Sequence, residues 1–397
     1  MRLIPLTIAA AVLATSAIAE DSHWIAAWTF PPTSNVGPVV PPSPPNPNDV
    51  RGPLGPSTVA NQTVSQTTTV SATGDRLRIR FSNIYGAAPV RVGAVSVAVG
   101  DGAPVPVTFE GVNGVTLPAG VPFLSDPVTL PVKALDRVTI SVFYPDQTTL
   151  PNHRLRQVLT DGDTTGKPIP ADAPRQRIGA LATGIAVETT APTRVIVAFG
   201  DSITEGTGSL PSGPGGWPER LAERMAGSNW AVVNAGIGGN RLLHQGSGPS
   251  ALERLDADAL AVPGAQCLIL LEGINDIGRP ARAEYAHEAA TAADIIAGYR
   301  QVLTRAHTAG LKVVVSTIPP FEQANYFSDT GEAIRQSVNA WIRTTPDLDA
   351  RLDYDAVLRD PAHPTKLRPD YQSGDWLHPS DAGYAAMAAS VPLDVCD

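Results

Sequence analysis

Charge is scarce in this 397-residue chain. Asp, Glu, Lys and Arg make up 17% of it, below the quarter or so of an average globular protein, and the balance is acidic, with a formal net charge of −9. No run of Lys or Arg overrides that balance. Nucleic acid and anionic membrane surfaces are bound through clustered cations, so neither is expected as a partner. Aromatic residues are also few, at 6%, which counts against a lipid interface. Beyond the first twenty residues no segment is long and apolar enough to cross a bilayer, so stable membrane insertion is not expected. None of the Cys, His and acidic spacings resembles a metal-ligand set, and no cofactor is implied. Hydrophobic content, by contrast, is 43%, ample for cores, and the length suits two domains better than one.

The beginning of the chain reads as a targeting segment. Arg2 supplies a short positive region, residues 3–14 an apolar stretch, and Ala17-Ile18-Ala19 the small residues a signal peptidase requires. Residues 1–19 are therefore expected to be removed, leaving a secreted or periplasmic protein. In an oxidising compartment the only two cysteines, Cys267 and Cys396, are expected to pair if the last helix runs back down a parallel sheet. The alternative is one buried and one terminal thiol. Neither reading makes them catalytic.

Two styles of sequence meet near residue 190. Before it, short runs alternate apolar and polar residues, as with Leu77, Ile79 and Phe81 or Val138, Ile140 and Val142. That period of two marks strands with one buried face. Many such strands at close spacing predict an antiparallel β-sandwich or jelly-roll-like domain over residues 20–190. A Pro-rich stretch, residues 37–56, interrupts it as a long loop. The basic segment 152–156 reads as a solvated loop, with a reach over the cleft as the alternative.

After residue 190 the pattern becomes strand, loop, helix, repeated. Residues 194–199, 230–234, 267–272 and 312–317 are continuously apolar or nearly so, as buried parallel strands are. Helical periodicity fills 217–226, 251–261, 290–309 and 331–344. This alternation predicts an α/β domain over 191–397, a parallel sheet flanked by helices in three layers, with its chemistry at the carboxyl ends of the strands.

Four segments lie at those ends or in the final loop. Phe199-Gly200-Asp201-Ser202-Ile203 follows the first strand; a serine at such a turn is exposed and faces a helix N-terminus. Asn234-Ala235-Gly236-Ile237-Gly238-Gly239-Asn240 lets backbone amides approach a substrate. It lacks the spacing of a dinucleotide site. In Gly273-Ile274-Asn275-Asp276, an Asn amide can donate to an oxyanion. In Asp375-Trp376-Leu377-His378-Pro379, one loop presents a carboxylate and an imidazole three residues apart. Taken singly, each is also an ordinary cap or turn.

Together, in this order, the four segments resemble the blocks of the SGNH (GDSL) hydrolase family. The resemblance covers residues 194–397. It implies Ser202 as nucleophile, His378 as general base and then general acid, and Asp375 as the group that orients His378. It also implies an oxyanion hole from the Ser202 and Gly239 amides and the Asn275 side chain. Asp201 and Asp276 would support their turns. The stretch 236–278 and the phrase RFSNIYG at 80–86 are similar to exported arylesterase-like acylhydrolases, some of which accompany xylan-degrading enzymes. The function so implied is hydrolysis of carboxylic esters of small molecules or polysaccharides, with short acyl groups such as acetyl first in line. A lipase or lysophospholipase is the alternative, with residues 320–330 as a candidate lid. An inactive carbohydrate-binding protein is a third reading. Oligomeric state stays open.

Overall fold

The computed structural model describes residues 22–33, 54–170, 172–210, 213 and 215–397. The expected signal segment and most of the Pro-rich stretch lie outside them. Among the described residues no helix is long and apolar enough to cross a membrane.

The period-two runs before residue 190 form antiparallel strands in two main sheets. In spatial order the first is His23–Thr29, Ala182–Thr189, Gly74–Ser82 and Pro122–Leu124, with Val128–Val132 also pairing to Gly74–Ser82. The second is Arg175–Gly179, Arg154–Asp161, Gln62–Thr69, Arg137–Tyr144, Ala94–Val99 and Val105–Pro106. Leu77, Ile79 and Phe81 from the first and Val138, Ile140 and Val142 from the second are buried in one core. The outward positions of the same strands are polar, which is why alternation reveals them.

Between Thr189 and Arg194 the chain changes from antiparallel to parallel pairing. The second half holds a five-stranded, all-parallel sheet in the order Trp230–Gly236, Arg194–Gly200, Ala265–Leu271, Lys312–Ser316, Ala350–Leu352. Its strands are apolar on both sides because both sides are covered. Val195, Val197 and Phe199 face a cluster with Leu255 and with Tyr299, Val302 and Val338 of the helices Ala292–Thr308 and Asp329–Thr344. Ile196 and Ala198 face Trp217, Leu221, Tyr384 and Met387 of the helices Trp217–Met225 and Asp381–Ser390. The strand order reverses at Arg194–Gly200. A crevice therefore opens beyond the carboxyl end of that strand, where open α/β sheets bind their ligands.

The two halves share a core. Ile25 of the first strand packs in the same cluster as Val195 and Phe199. The Ala26 amide donates to Pro263 O at 2.9 Å, and Thr29 Oγ1 donates to Asn234 O at 2.7 Å. At the far end of the parallel sheet, Cys267 Sγ and Cys396 Sγ lie 1.97 Å apart as a disulfide that joins the central strand to the chain's last turn.

The structure departs from the sequence reading in four places. The helix expected over 251–261 is an α-turn, Ala251–Leu255, running into a π-helical turn, Asp256–Leu260. The fifth strand, Ala350–Leu352, and the hairpin Arg359–Asp360 with His363–Leu367 were not anticipated, being too short for any periodicity. Residues 154–156 open a paired strand, Arg154–Asp161, rather than a solvated loop. Residues 320–330 are packed down rather than lid-like: Phe321 and Tyr326 are buried, and the Phe321 ring meets Tyr326 at a tilt and Phe327 edge-on.

Candidate active site

Ser202 opens the four-residue helix Ser202–Glu205, directly after the strand Arg194–Gly200. Asp201 caps it, its Oδ1 accepting the Ile203 amide at 2.8 Å. As the first residue of a helix, Ser202 has an amide with no acceptor inside that helix. Gly200 cannot be replaced without collision, since a Cβ there would stand 2.1 Å from Leu271 O.

The loop after Tyr371 brings the other groups to Ser202. His378 Nε2 lies 2.7 Å from Ser202 Oγ, and His378 Nδ1 lies 2.6 Å from Asp375 Oδ2. Asp375 Oδ1 also accepts the amides of Leu377 and His378, at 3.0 and 2.9 Å. Burial works against its ionisation, yet the hydrogen bond and charge of His378 and the two amides outweigh it. The carboxyl is thereby held well below its ordinary range. An ionised Asp375 fixes Nδ1 as the protonated nitrogen and leaves Nε2 to accept from the serine. Between them, Trp376 sits at φ +58°, a left-handed conformation rare for a bulky residue. Tyr384 of the last helix donates to Thr207 O at 2.6 Å, tying this corner to the loop that follows Ser202.

Gly239 and Asn275 complete the rim. Gly239 has φ +74°, and a Cβ on it would lie 2.7 Å from Arg279 Nη2. Arg279 Nη2 donates to Gly239 O at 2.8 Å and so anchors the Gly239 peptide. Asn275, nearly buried, accepts from Tyr326 OH through Oδ1 at 3.3 Å and donates through Nδ2 to Asn240 O at 2.9 Å. That fixes its amide orientation, with one Nδ2 proton still available. Asp276 accepts the amides of Leu242 and Leu243 at 2.7 and 2.9 Å, holding the glycine loop's far end.

Two supporting residues, Arg254 and His153, were invisible to sequence reasoning. Arg254, fully buried, donates to Asn240 Oδ1, Ala235 O and Gly200 O at 2.8, 2.7 and 2.9 Å and stacks on Phe199. It ties the ends of two strands to the glycine loop. His153, from the antiparallel half, points Nε2 at Glu205 Oε1, 2.9 Å away, with Nδ1 on Pro31 O at 2.7 Å and its ring stacked on Phe30. A carbonyl only accepts, so Nδ1 carries a proton. A second proton must then lie between Nε2 and the carboxylate. Beneath Ser202, the buried carboxyls of Asp201, Glu272 and Asp276 lie near one another. Desolvation pushes Asp201 up to about 7 and raises Glu272 and Asp276 as well, each helped by its acidic neighbours or opposed by local hydrogen bonds.

Ser202, Gly239, Asn275 and His378 line a cleft of about 1460 Å³ whose other wall comes from the antiparallel half, including Trp28, Thr67, Thr69, Arg154 and Arg156. A carboxylic ester hydrolase is the class that this fold and this serine-bearing crevice define. Residues 198–386 match the model of the GDSL-like lipase/acylhydrolase family.

Among solved structures, the chain is similar to an aryl esterase of Mycobacterium smegmatis, at 18% identity, covering 50% of this chain and 95% of that one with a TM-score of 0.39. It is similar to a GDSL-like lipase from Bacteroides thetaiotaomicron, at 20% identity, 52% and 89% coverage and a TM-score of 0.39. A catalytic mutant of an acetylxylan esterase from Geobacillus stearothermophilus is similar at 19% identity, 50% and 91% coverage and a TM-score of 0.39. No curated protein matches the chain.

Proposed function

We propose that the chain is an exported serine esterase that releases short acyl groups, acetyl first, from polar and carbohydrate esters. The observation that carries this reading is the unbroken line from Asp375 through His378 to Ser202 Oγ, with contacts of 2.6 and 2.7 Å, ending in an open cleft.

In this reading Ser202 Oγ attacks the ester carbonyl while His378 Nε2 takes its proton. Negative charge then gathers on the carbonyl oxygen, and the Ser202 amide, the Gly239 amide and Asn275 Nδ2 stabilise it. His378 passes its proton to the departing alkoxide as the C–O bond breaks, leaving an acyl-serine. Water, deprotonated by His378, attacks the acyl-serine; the proton returns to Ser202, and the carboxylic acid leaves. Asp375 stays ionised throughout and balances the imidazolium.

A preference for short acyl groups on a polar scaffold rests on the lining. Thr67, Asn152, Ser247, Gln323, Asn325 and Ser373 face the cleft among apolar side chains such as Leu155, Ile237 and Leu377, and a long acyl chain would need the apolar ones to form a continuous groove. Export rests on the composition of residues 1–19 and agrees with a disulfide between Cys267 and Cys396. We place the boundary between the two domains near residue 190, where the pairing changes from antiparallel to parallel.

Hydrolysis of p-nitrophenyl esters from acetate to palmitate, with Ser202→Ala as control, tests the reading. Turnover should peak at acetate or propionate and disappear in Ser202→Ala. A peak at long chains would replace the short-acyl reading with a lipase. Activity above a few per cent in Ser202→Ala would overturn the mechanism, and no turnover on any ester would favour a binding protein.

A further inference from the structure

The wall of the cleft opposite Ser202 concentrates positive charge. In the second antiparallel sheet, Arg154–Asp161 pairs with the edge strand Arg175–Gly179, and the register sets Arg156 directly opposite Arg177, and Val158 opposite Arg175. Residues two apart on a strand share a face, so Arg154, Arg156, Arg175 and Arg177 all project on one side. Arg137 extends the row. It stands opposite Thr69, and the strand bearing Thr69 is the next neighbour of Arg154–Asp161. Five arginines thus share one face in a chain whose net charge is −9.

Folding alone does not account for this arrangement. Like charges directly opposite on neighbouring strands oppose pairing. Burial, followed by the charges of Arg137 and Arg156, lowers the pKa of Arg175. Among the described residues no carboxylate pairs with Arg154 or Arg156. Arg154 is held in place instead by donating to Gly55 O at 2.9 Å. Three of the five, Arg154, Arg156 and Arg177, line the same cleft as Ser202.

We infer that Arg154 and Arg156 form an anion-binding subsite of the cleft, and that the ester substrate is a carboxylate-bearing polysaccharide, such as an acylated glycan containing uronic acid. The inference deepens the esterase reading and rests on it for the reacting group. Guanidinium forks match carboxylates in pairs of parallel hydrogen bonds. The arginines sit on the wall of a concavity, where a bilayer surface cannot reach them, and nucleic acid offers Ser202 no carboxylic ester. A glycan carrying both carboxylates and O-acyl groups supplies both halves of the cleft. The antiparallel half is then the part of the enzyme that selects the polymer.

Two arms test this in the full-length protein. The first uses Ser202→Ala as an inert background and measures binding of polygalacturonate, neutral xylan and phosphatidylglycerol vesicles at low salt. Polygalacturonate should bind, weaken with added salt as exposed ion contacts do, and bind about 10-fold more weakly in Arg154→Gln/Arg156→Gln, the combined effect of a few such contacts. Arg154→Lys/Arg156→Lys, which keeps the charge, should lose less. Equal binding of neutral and acidic glycans, binding of vesicles alone, no binding, or acidic binding that survives the Gln variant would each overturn the subsite. The second arm compares kcat/KM on acetylated glucuronoxylan before and after reduction of its carboxyl groups. The native polymer should be preferred, and the Gln variant should lose about 10-fold of that preference; equal rates on the two polymers would overturn the inference. Absence of turnover on both polymers and on p-nitrophenyl acetate would defeat the esterase reading while leaving the binding arm to decide the subsite.

Discussion

His153 and Glu205 stand on opposite halves of the chain and meet at 2.9 Å, one turn beyond Ser202. Glu205 closes the short helix that Ser202 opens, and a Cβ added at Gly238 would lie 2.7 Å from Glu205 Oε2. The contact therefore links the antiparallel half to the serine turn and the glycine loop together. Removing one partner of a buried, charge-assisted hydrogen bond leaves the other poorly solvated, a cost of about 1–3 kcal/mol. His153→Ala should lower Tm by several degrees and reduce kcat on p-nitrophenyl acetate about 10-fold, with KM changed less. A variant that loses stability but keeps kcat would show that the bridge only staples the halves.

Asn275 is tied to Asn240 O and Tyr326 OH before any substrate arrives, so its free Nδ2 proton is already oriented. A preorganised donor of this kind acts on the transition state more than on bound ester. Asn275→Ala should therefore cost about 10²–10³ in kcat with little change in KM. Steady-state kinetics beside Tyr326→Phe, which removes only the hydroxyl that orients the amide, makes the check. The Phe variant should show a smaller loss of the same kind; a change confined to KM would exclude an oxyanion role.

These relationships differ in how far they could be read from sequence. Strands buried on both faces announce themselves as continuous apolar runs, and half-buried ones by alternation, so four of the five parallel strands and the antiparallel character of the first half were legible. Asp375 and His378 were legible as a pair because they are three residues apart on one loop. His153 has no notable neighbours in the sequence, since Glu205 lies 52 residues away, and the approach depends on how the halves dock. Arg254 lies in the stretch 251–261, where helical periodicity marks no single charge out. Its burial is compensated by the oxygens of Gly200, Ala235 and Asn240 and by the carboxylate of Asp258. The opposition of Arg156 and Arg177 requires a strand register, which composition does not carry.

The carboxyls under Ser202 make stability depend on pH in a particular direction. Burial raises Asp201 to about 7, above its value in an unfolded chain, and raises Glu272 and Asp276 too. The folded state thus holds protons between about pH 4 and pH 7 that the unfolded chain has released. The stability linked to these groups is present at the acid side of that window and is lost as pH rises through it. Asp375, held below its ordinary range, acts oppositely and loses its contribution only at lower pH. Asp201→Asn should therefore shrink the fall in Tm between pH 5 and pH 8 by several degrees relative to the parent, and Glu272→Gln should do the same. Thermal unfolding across that range checks both; a steeper fall in either variant would show these acids ionised and stabilising at neutral pH.

Trp376 offers a sharper test of how the His378 loop is held. Its φ of +58° puts a large side chain where L-residues are disfavoured, by about 1–2 kcal/mol. Asp375 on one side accepts the amides of Leu377 and His378 across this bend. At ordinary positions alanine is at least as stabilising as glycine, because glycine has about 0.5–1 kcal/mol more entropy to lose on folding. At a positive φ the order reverses. Trp376→Ala removes the ring and keeps the strain; Trp376→Gly removes both. Trp376→Gly should therefore be the more stable by about 1 kcal/mol, measured by urea unfolding. Both variants should raise KM for carbohydrate esters if the ring, which lines the cleft, contacts substrate. Alanine proving the more stable would mean that the loop relaxes to a negative φ once the ring is gone. The bend would then be held by the packing of Trp376 and not by the two amides on Asp375.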